Sequence, residues 1–121
     1  MRTPKRIKIY EYPQCSTCKK ALRYLADHGV EYDKIDISKD PPSKSELKRM
    51  LGYYEGNVSK LFNTSGVQYR ELKLSERLKK MSHEEALDLL SQNGKLVKRP
   101  FLLASESGRV GFKEEEWEKL K

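Results

Sequence analysis

The chain is short of cysteine, of soft metal donors and of long apolar runs, and each shortage removes a class of protein. Only two of its 121 residues are cysteine, too few for the disulfide framework that holds small secreted domains together. Its two histidines, His28 and His83, stand far apart. They leave a cysteine pair without the four ligands of a structural zinc site, so no metal and no other cofactor is expected. No stretch is long and apolar enough to span a bilayer. The charged opening Met1-Arg2-Thr3-Pro4-Lys5-Arg6 has no apolar segment behind it to form a secretory signal. A cytoplasmic protein with no membrane contact is the expectation. Repeats, low-complexity tracts and flexible linkers are missing too, and the length suits one domain over 1–121 with a core of its own.

Charge is not in short supply. Lys and Arg number 25 against 18 Asp and Glu, a formal net charge of +7. A surplus of this size invites nucleic acid as a partner, yet the two signs are interleaved and the basic clusters, Arg2 to Lys8 and Lys95 to Arg99, are short. No recognition motif or stacking platform accompanies them, so direct nucleic-acid binding is not expected. A solvated surface accounts for the surplus; acidic partners or anionic substrates are the other account of it.

The most informative residues are Cys15-Ser16-Thr17-Cys18. They follow a strand-like run, Arg6-Ile7-Lys8-Ile9-Tyr10, and open a helical pattern that lasts to Gly29. A Cys-x-x-Cys at a strand-to-helix junction reads as a thiol redox motif. The first sulfur lies at the helix mouth, where unpaired N–H groups and the positive dipole end stabilise an anion. Lys19 and Lys20 follow, cations in a first turn that ordinarily disfavours them. A thiol so placed is expected to have its pKa lowered and to act as nucleophile, with Cys18 resolving the adduct by forming the internal disulfide.

Cys18, Ala21, Leu22, Leu25 and Ala26 recur at spacings of three and four, so Cys18 belongs to the buried face and Cys15 is more open. His28-Gly29 supplies a left-handed helix end, and Val30, Tyr32, Ile35 and Ile37 suggest a second strand. Two strands joined by one helix should lie parallel. Asp40-Pro41-Pro42-Ser43 then breaks the pattern. Ser43 with Glu46, and Ser82 with Glu85, have capping-box spacing ahead of apolar faces. A short helix is expected at Val58 to Phe62, closed by Asn63-Thr64-Ser65-Gly66, and a helical block runs roughly from Ser43 to Asn93. Tyr53-Tyr54 reads either as an exposed contact pair or as packing within that block. Phe101 to Ala104 and Arg109 to Phe112, around a Glu106-Ser107-Gly108 turn, form a hairpin. Glu114 to Glu116 begin a final helix packed through Trp117 and Leu120. The class is α/β: a thioredoxin-like mixed sheet, β-α-β … β-β-α, occupying about 5–42 and 95–121, with a central helical insertion at about 43–94.

Taken in order, Tyr12-Pro13-Gln14-Cys15-Ser16-Thr17-Cys18-Lys19-Lys20-Ala21, Pro41-Pro42-Ser43, Leu61-Phe62-Asn63-Thr64-Ser65-Gly66, Tyr69-Arg70-Glu71-Leu72 and Lys98-Arg99-Pro100 resemble the ArsC/Spx family. That family comprises the arsenate-reductase-like proteins and the Spx regulators that bind RNA polymerase. The resemblance implies that Cys15 is the nucleophile, that Arg99 stands beside it and that Pro100 is a cis-proline facing it. Ser16, Thr17, Lys19 and Asn63 are, with Pro100, the expected substrate contacts. Two further arginines of plasmid-type arsenate reductases fall on or near Asn63 and Phe112, which argues against arsenate turnover, while the second thiol, Cys18, favours an internal disulfide as in Spx-type proteins. Two functions follow from the resemblance. One is a thiol/disulfide oxidoreductase served by glutathione/glutaredoxin or thioredoxin. The other is a redox-sensing regulator that binds the RNA polymerase α subunit, for which Gly56 lies near the family's contact glycine.

Overall fold

The computed structural model describes residues 7–64, 66–104 and 107–118. Ser65, Glu106, Leu120 and the basic residues before Ile7 lie outside them. Strand β1 (Ile7–Glu11) leads through helix α1 (Ser16–Asp27) to β2 (Tyr32–Asp36), and the two strands pair in parallel from Ile7 opposite Tyr32 to Glu11 opposite Asp36. Strand β3 (Phe101–Leu103) lies antiparallel to β1, and β4 (Gly108–Val110) antiparallel to β3. The sheet order is β2-β1-β3-β4. It is a mixed sheet, built from one crossover and one hairpin.

Helix α2 (Lys44–Tyr53), two short helices α3 (Val67–Glu71) and α4 (Leu74–Arg77), and α5 (His83–Gln92) come between β2 and β3; α6 (Glu114–Trp117) follows β4. Strand alternation sorts the core onto two faces. Ile9 and Leu102 pack with Ala21, Leu25 and Trp117. Their neighbours Tyr10, Phe101 and Leu103 turn the other way, onto Leu47, Met50, Leu87 and Leu90 of α2 and α5. Each such large apolar side chain contributes about 1.5–3 kcal/mol when removed from water.

Ala26 does not join the buried stripe: it is exposed, while Cys18, Ala21 and Leu25 are buried and Leu22 is half-buried. Eight residues on from Cys18 it has rotated about 80° off that direction. The helix instead buries part of Tyr24, whose ring meets Phe112 and Trp117 edge-on at 5.6 and 6.1 Å. The His28 ring lies 2.9 Å from the Tyr24 carbonyl, and Gly29 takes φ +65°, closing α1 as its sequence requires.

Both capping boxes form. The one on α2 is tied to the sheet as well: Glu46 accepts from the Ser43 N–H at 3.0 Å, from the Tyr10 hydroxyl at 2.6 Å and from Lys8 Nζ at 2.7 Å. Burial pushes the Glu46 carboxyl up, but these three donors outweigh it and hold it below the ordinary carboxylate range. The sign follows from linkage. A depressed acid contributes stability above its unfolded pKa, and that contribution is lost as pH falls through the lower folded value. Glu46→Ala removes the carboxylate half of the capping box and strands a Tyr10 hydroxyl on a residue 4% exposed. It should therefore cost about 2 kcal/mol in urea unfolding at neutral pH and less in acid; a loss independent of pH would contradict this reading.

The expected helix at Val58 to Phe62 is a 3-10 turn, Val58–Leu61, after which Phe62 bridges Val97. Between the two capped helices the chain makes α3 and α4 rather than one longer helix, because Lys73 adopts φ +54° between them. Tyr53 and Tyr54 divide the two readings given them. Tyr53 is exposed, whereas Tyr54 is half-buried and its hydroxyl accepts from the Val110 N–H of β4 at 2.9 Å.

Candidate active site

The site begins where β1 ends. The Cys15 N–H donates to the Tyr12 carbonyl at 2.9 Å, folding Tyr12-Pro13-Gln14 into a tight turn that delivers Cys15 as the N-cap of α1. No Ser, Thr or Asp holds that position. The Cys15 sulfur takes the capping role, accepting from the Cys18 N–H at 3.3 Å. With no acidic residue in the first turn of α1, nothing there offsets the positive end of the helix dipole.

The two thiols, both free, differ sharply in surroundings. Cys15 is partly exposed; Cys18 is 0% exposed, against the sheet. Burial, and after it the hydrogen bond to the Cys15 sulfur, push the Cys18 thiol up to about 12. Iodoacetamide in limiting amount at neutral pH should therefore label Cys15 and spare Cys18 until the chain is unfolded. Equal labelling of both in the folded chain would contradict the burial of Cys18.

Cys15 opens onto a cavity of about 830 Å³ shared with Thr17, Asn63 and Arg99. The other predicted residues lie elsewhere. Ser16 and Lys19 are exposed on the first turn of α1, and Pro100 is buried and does not line the cavity. The Arg99–Pro100 bond is cis. The Arg99 guanidinium lies over the Tyr12 ring, 5.1 Å from its centre, so it braces the turn that presents Cys15. Asn63 is fixed through its N–H to the Leu96 carbonyl at 2.7 Å.

Lys60, Lys98 and Lys113 line the same cavity, with Glu116 as the opposing charge. The sequence reading missed these lysines. They come from three separate segments, and only the fold gathers them. Also missed was Glu11, which stands at an inward position of β1 after Ile7 and Ile9 and is 5% exposed; strict alternation along the strand was the available signal. Among the described residues no group of three or more His, Cys, Asp or Glu side chains is placed to hold a metal.

A mixed four-stranded sheet with a cysteine N-cap on the first helix and a cis-proline opening β3 defines a thioredoxin-like thiol protein. The profile of the ArsC family matches residues 10–120, and the chain belongs to that family. The fold is shared with an ArsC family related protein from Bacteroides fragilis, at 49% identity and TM-score 0.89 over 95% of this chain and 97% of that one. It is shared too with a structure described as a "possible arsenate reductase" from Streptococcus mutans UA159, at 38% identity and TM-score 0.86 over 95% and 99%. Among curated proteins, the global transcriptional regulator Spx of Streptococcus mutans is 27% identical over 91% of this chain and 79% of its own length. No helix among the described residues is long and apolar enough to cross a membrane.

Proposed function

We propose that this chain is a thiol/disulfide oxidoreductase in which Cys15 attacks a thiol-linked substrate and Cys18 resolves the product. The observation that carries the reading is the asymmetry of the pair. One sulfur caps a helix at the rim of a cavity, and the other is sealed one turn further in, within hydrogen-bonding reach of the first. The exposed sulfur faces the cavity; the sealed one, 0% exposed, has the Cys15 sulfur as a hydrogen-bond partner. Helix N–H groups and Arg99 stabilise the anionic sulfur species along the way.

The cavity favours a substrate carrying negative charge, since Lys60, Lys98, Arg99 and Lys113 outnumber Glu116. Arsenate itself is disfavoured. Asn63 and Phe112 stand in the wall of the cavity, where the arginines of plasmid-type reductases are expected, so two of the cationic clamps for a small oxyanion are replaced by an amide and a ring. Glutathione with glutaredoxin, or thioredoxin, is the reductant that returns the Cys15–Cys18 disulfide to thiols.

The test is a turnover assay with the purified chain, offering a small disulfide or arsenate as oxidant and each thiol donor in turn. Disulfide reduction with at least one donor and none of arsenate is expected. Absence of turnover with every donor would overturn the reading.

A further inference from the structure

Tyr12 joins the two sides of the site. Its carbonyl accepts the Cys15 N–H at 2.9 Å. Pro13 follows it, and the residue before a proline is confined to the extended region. Its ring is half-buried and packs against the larger core cluster. Over that ring lies the Arg99 guanidinium, 5.1 Å from its centre. Tyr12 therefore holds the Cys15 residue through its backbone and meets the cavity's guanidinium through its side chain.

Arg99 has few other holds. Among the described residues no carboxylate pairs with it, and its hydrogen bond to the Lys95 carbonyl is long, at 3.5 Å. The kind of anchor matters here. A carboxylate that fixed the guanidinium would cancel its charge and occupy its N–H donors. An aromatic face attracts the cation through its quadrupole and leaves both unspent. Without any anchor, an arginine spreads its charge over many rotamers, and an anion must gather it at an entropic cost. Lys60, Lys98 and Lys113 share the cavity. They lack the planar fork of a guanidinium, and Lys113 already has Glu116 at 4.0 Å.

We infer that Tyr12 is a positioning residue that sets specificity: its ring holds Arg99 in the cavity with the charge unspent, so that a disulfide bearing an anionic group is attacked ahead of a neutral one. The inference rests on the reading of the preceding subsection and concerns which disulfide enters its first step. In that step the Cys15 thiolate bonds to one sulfur of the substrate. The substrate S–S bond breaks, and the other sulfur leaves with the electron pair as a thiolate. An anionic group on the substrate is drawn to the guanidinium as the attack proceeds. Tyr12 does not itself line the cavity; it acts through Arg99.

Two chromogenic aromatic disulfides read the preference in the intact chain. At neutral pH 5,5′-dithiobis(2-nitrobenzoate) is a dianion and 4,4′-dithiodipyridine is neutral, and each gives a coloured product when Cys15 attacks. Dividing each rate by that of 2-mercaptoethanol removes the reagent's own reactivity and leaves an anionic-over-neutral ratio for every variant. The wild-type ratio should exceed one; a ratio of one or less would overturn the inference. Tyr12→Leu should lower the ratio at least about threefold, and Arg99→Gln at least as far. The double variant should fall no further than Arg99→Gln alone, because the same interaction is lost in each. Tyr12→Phe keeps the aromatic face and should hold the ratio within about 1.5-fold of wild type. A loosened fold slows both reagents together, so the ratio reports the placement of Arg99 rather than stability. A ratio unchanged in Tyr12→Leu, a ratio lowered equally in Tyr12→Phe, or losses that multiply in the double variant would overturn the role of Tyr12. In NMR spectra of the wild-type chain the Arg99 side-chain protons should lie upfield, shielded by the ring; ordinary shifts would overturn the inference without any variant. Reaction with neither reagent in the wild-type chain is a different result and would overturn the oxidoreductase reading itself.

Discussion

Cys15→Ser is expected to abolish disulfide turnover, by at least about 10³-fold, and to leave the fold intact. Both halves follow from the same geometry. The Cys15 sulfur is the atom exposed to the cavity, and a serine hydroxyl at neutral pH is a far weaker nucleophile than a thiol with no neighbouring base to activate it. Cys18 cannot substitute, being sealed from solvent and pushed up to about 12. The structural role of residue 15 is to accept the Cys18 N–H as N-cap, and serine ranks among the preferred residues there. The melting temperature should stay level or rise. A variant retaining more than about a tenth of wild-type turnover would place the nucleophile elsewhere.

Gly94→Ala carries the largest expected effect on stability. A Cβ built on Gly94 would lie 1.8 Å from the Ile37 carbonyl oxygen and 2.8 Å from its carbon. Both contacts are to backbone, so no side-chain rotation relieves them. Gly94 opens the 3-10 turn Gly94–Leu96; the buried Leu96 and Val97 follow, and Lys98 and Arg99 then line the cavity. Relief of the clash means separating this segment from the end of β2. The expected cost is at least about 3 kcal/mol, a fall of about 10 °C or more in Tm, with reduced activity in whatever remains folded. An unchanged Tm would show that the approach of Gly94 to Ile37 is not as close as described.

The contrast between these two sites marks what sequence can and cannot convey. The place of Cys15 at the mouth of α1 was readable because its signals are local: a Cys-x-x-Cys, a strand before it and a helical stripe behind it. The same holds for the boxes at Ser43 with Glu46 and Ser82 with Glu85, for Gly29, and for the hairpin from Phe101 to Val110, whose signals all lie within a few residues. Gly94 read only as a helix terminator, since its contact with Ile37 spans nearly half of the chain. The three cavity lysines were unreadable for that reason too. Lys60, Lys98 and Lys113 have no common spacing, and each looks like one more solvated charge in a basic protein.

One misreading has a physical cause in neighbours. Helical periodicity placed Ala26 inward, but the segment after β4 brings Phe112 and, on α6, Trp117 to the Tyr24 side of α1, and that contact decides which flank is covered. The stretch from Val67 to Arg77 lies within the expected helical block and is helical, but its separate elements are not legible there. Its two helices are a single turn or little more, too short for a periodic signal, and Lys73 in the left-handed region separates them. The cis geometry of Arg99–Pro100 was implied by family resemblance alone; the residues themselves favoured trans.

The account turns on an ordered hand-over between two sulfurs, and peptide mapping tests that order most directly. The reduced wild-type chain and its Cys18→Ser variant are each given one equivalent of a small disulfide, quenched in acid and mapped by mass spectrometry. The wild type should end lighter by two hydrogens, with Cys15 linked to Cys18, and the variant should carry the donor thiol on Cys15. A donor thiol retained on Cys15 of the wild type with no internal link, or found on Cys18, would contradict it.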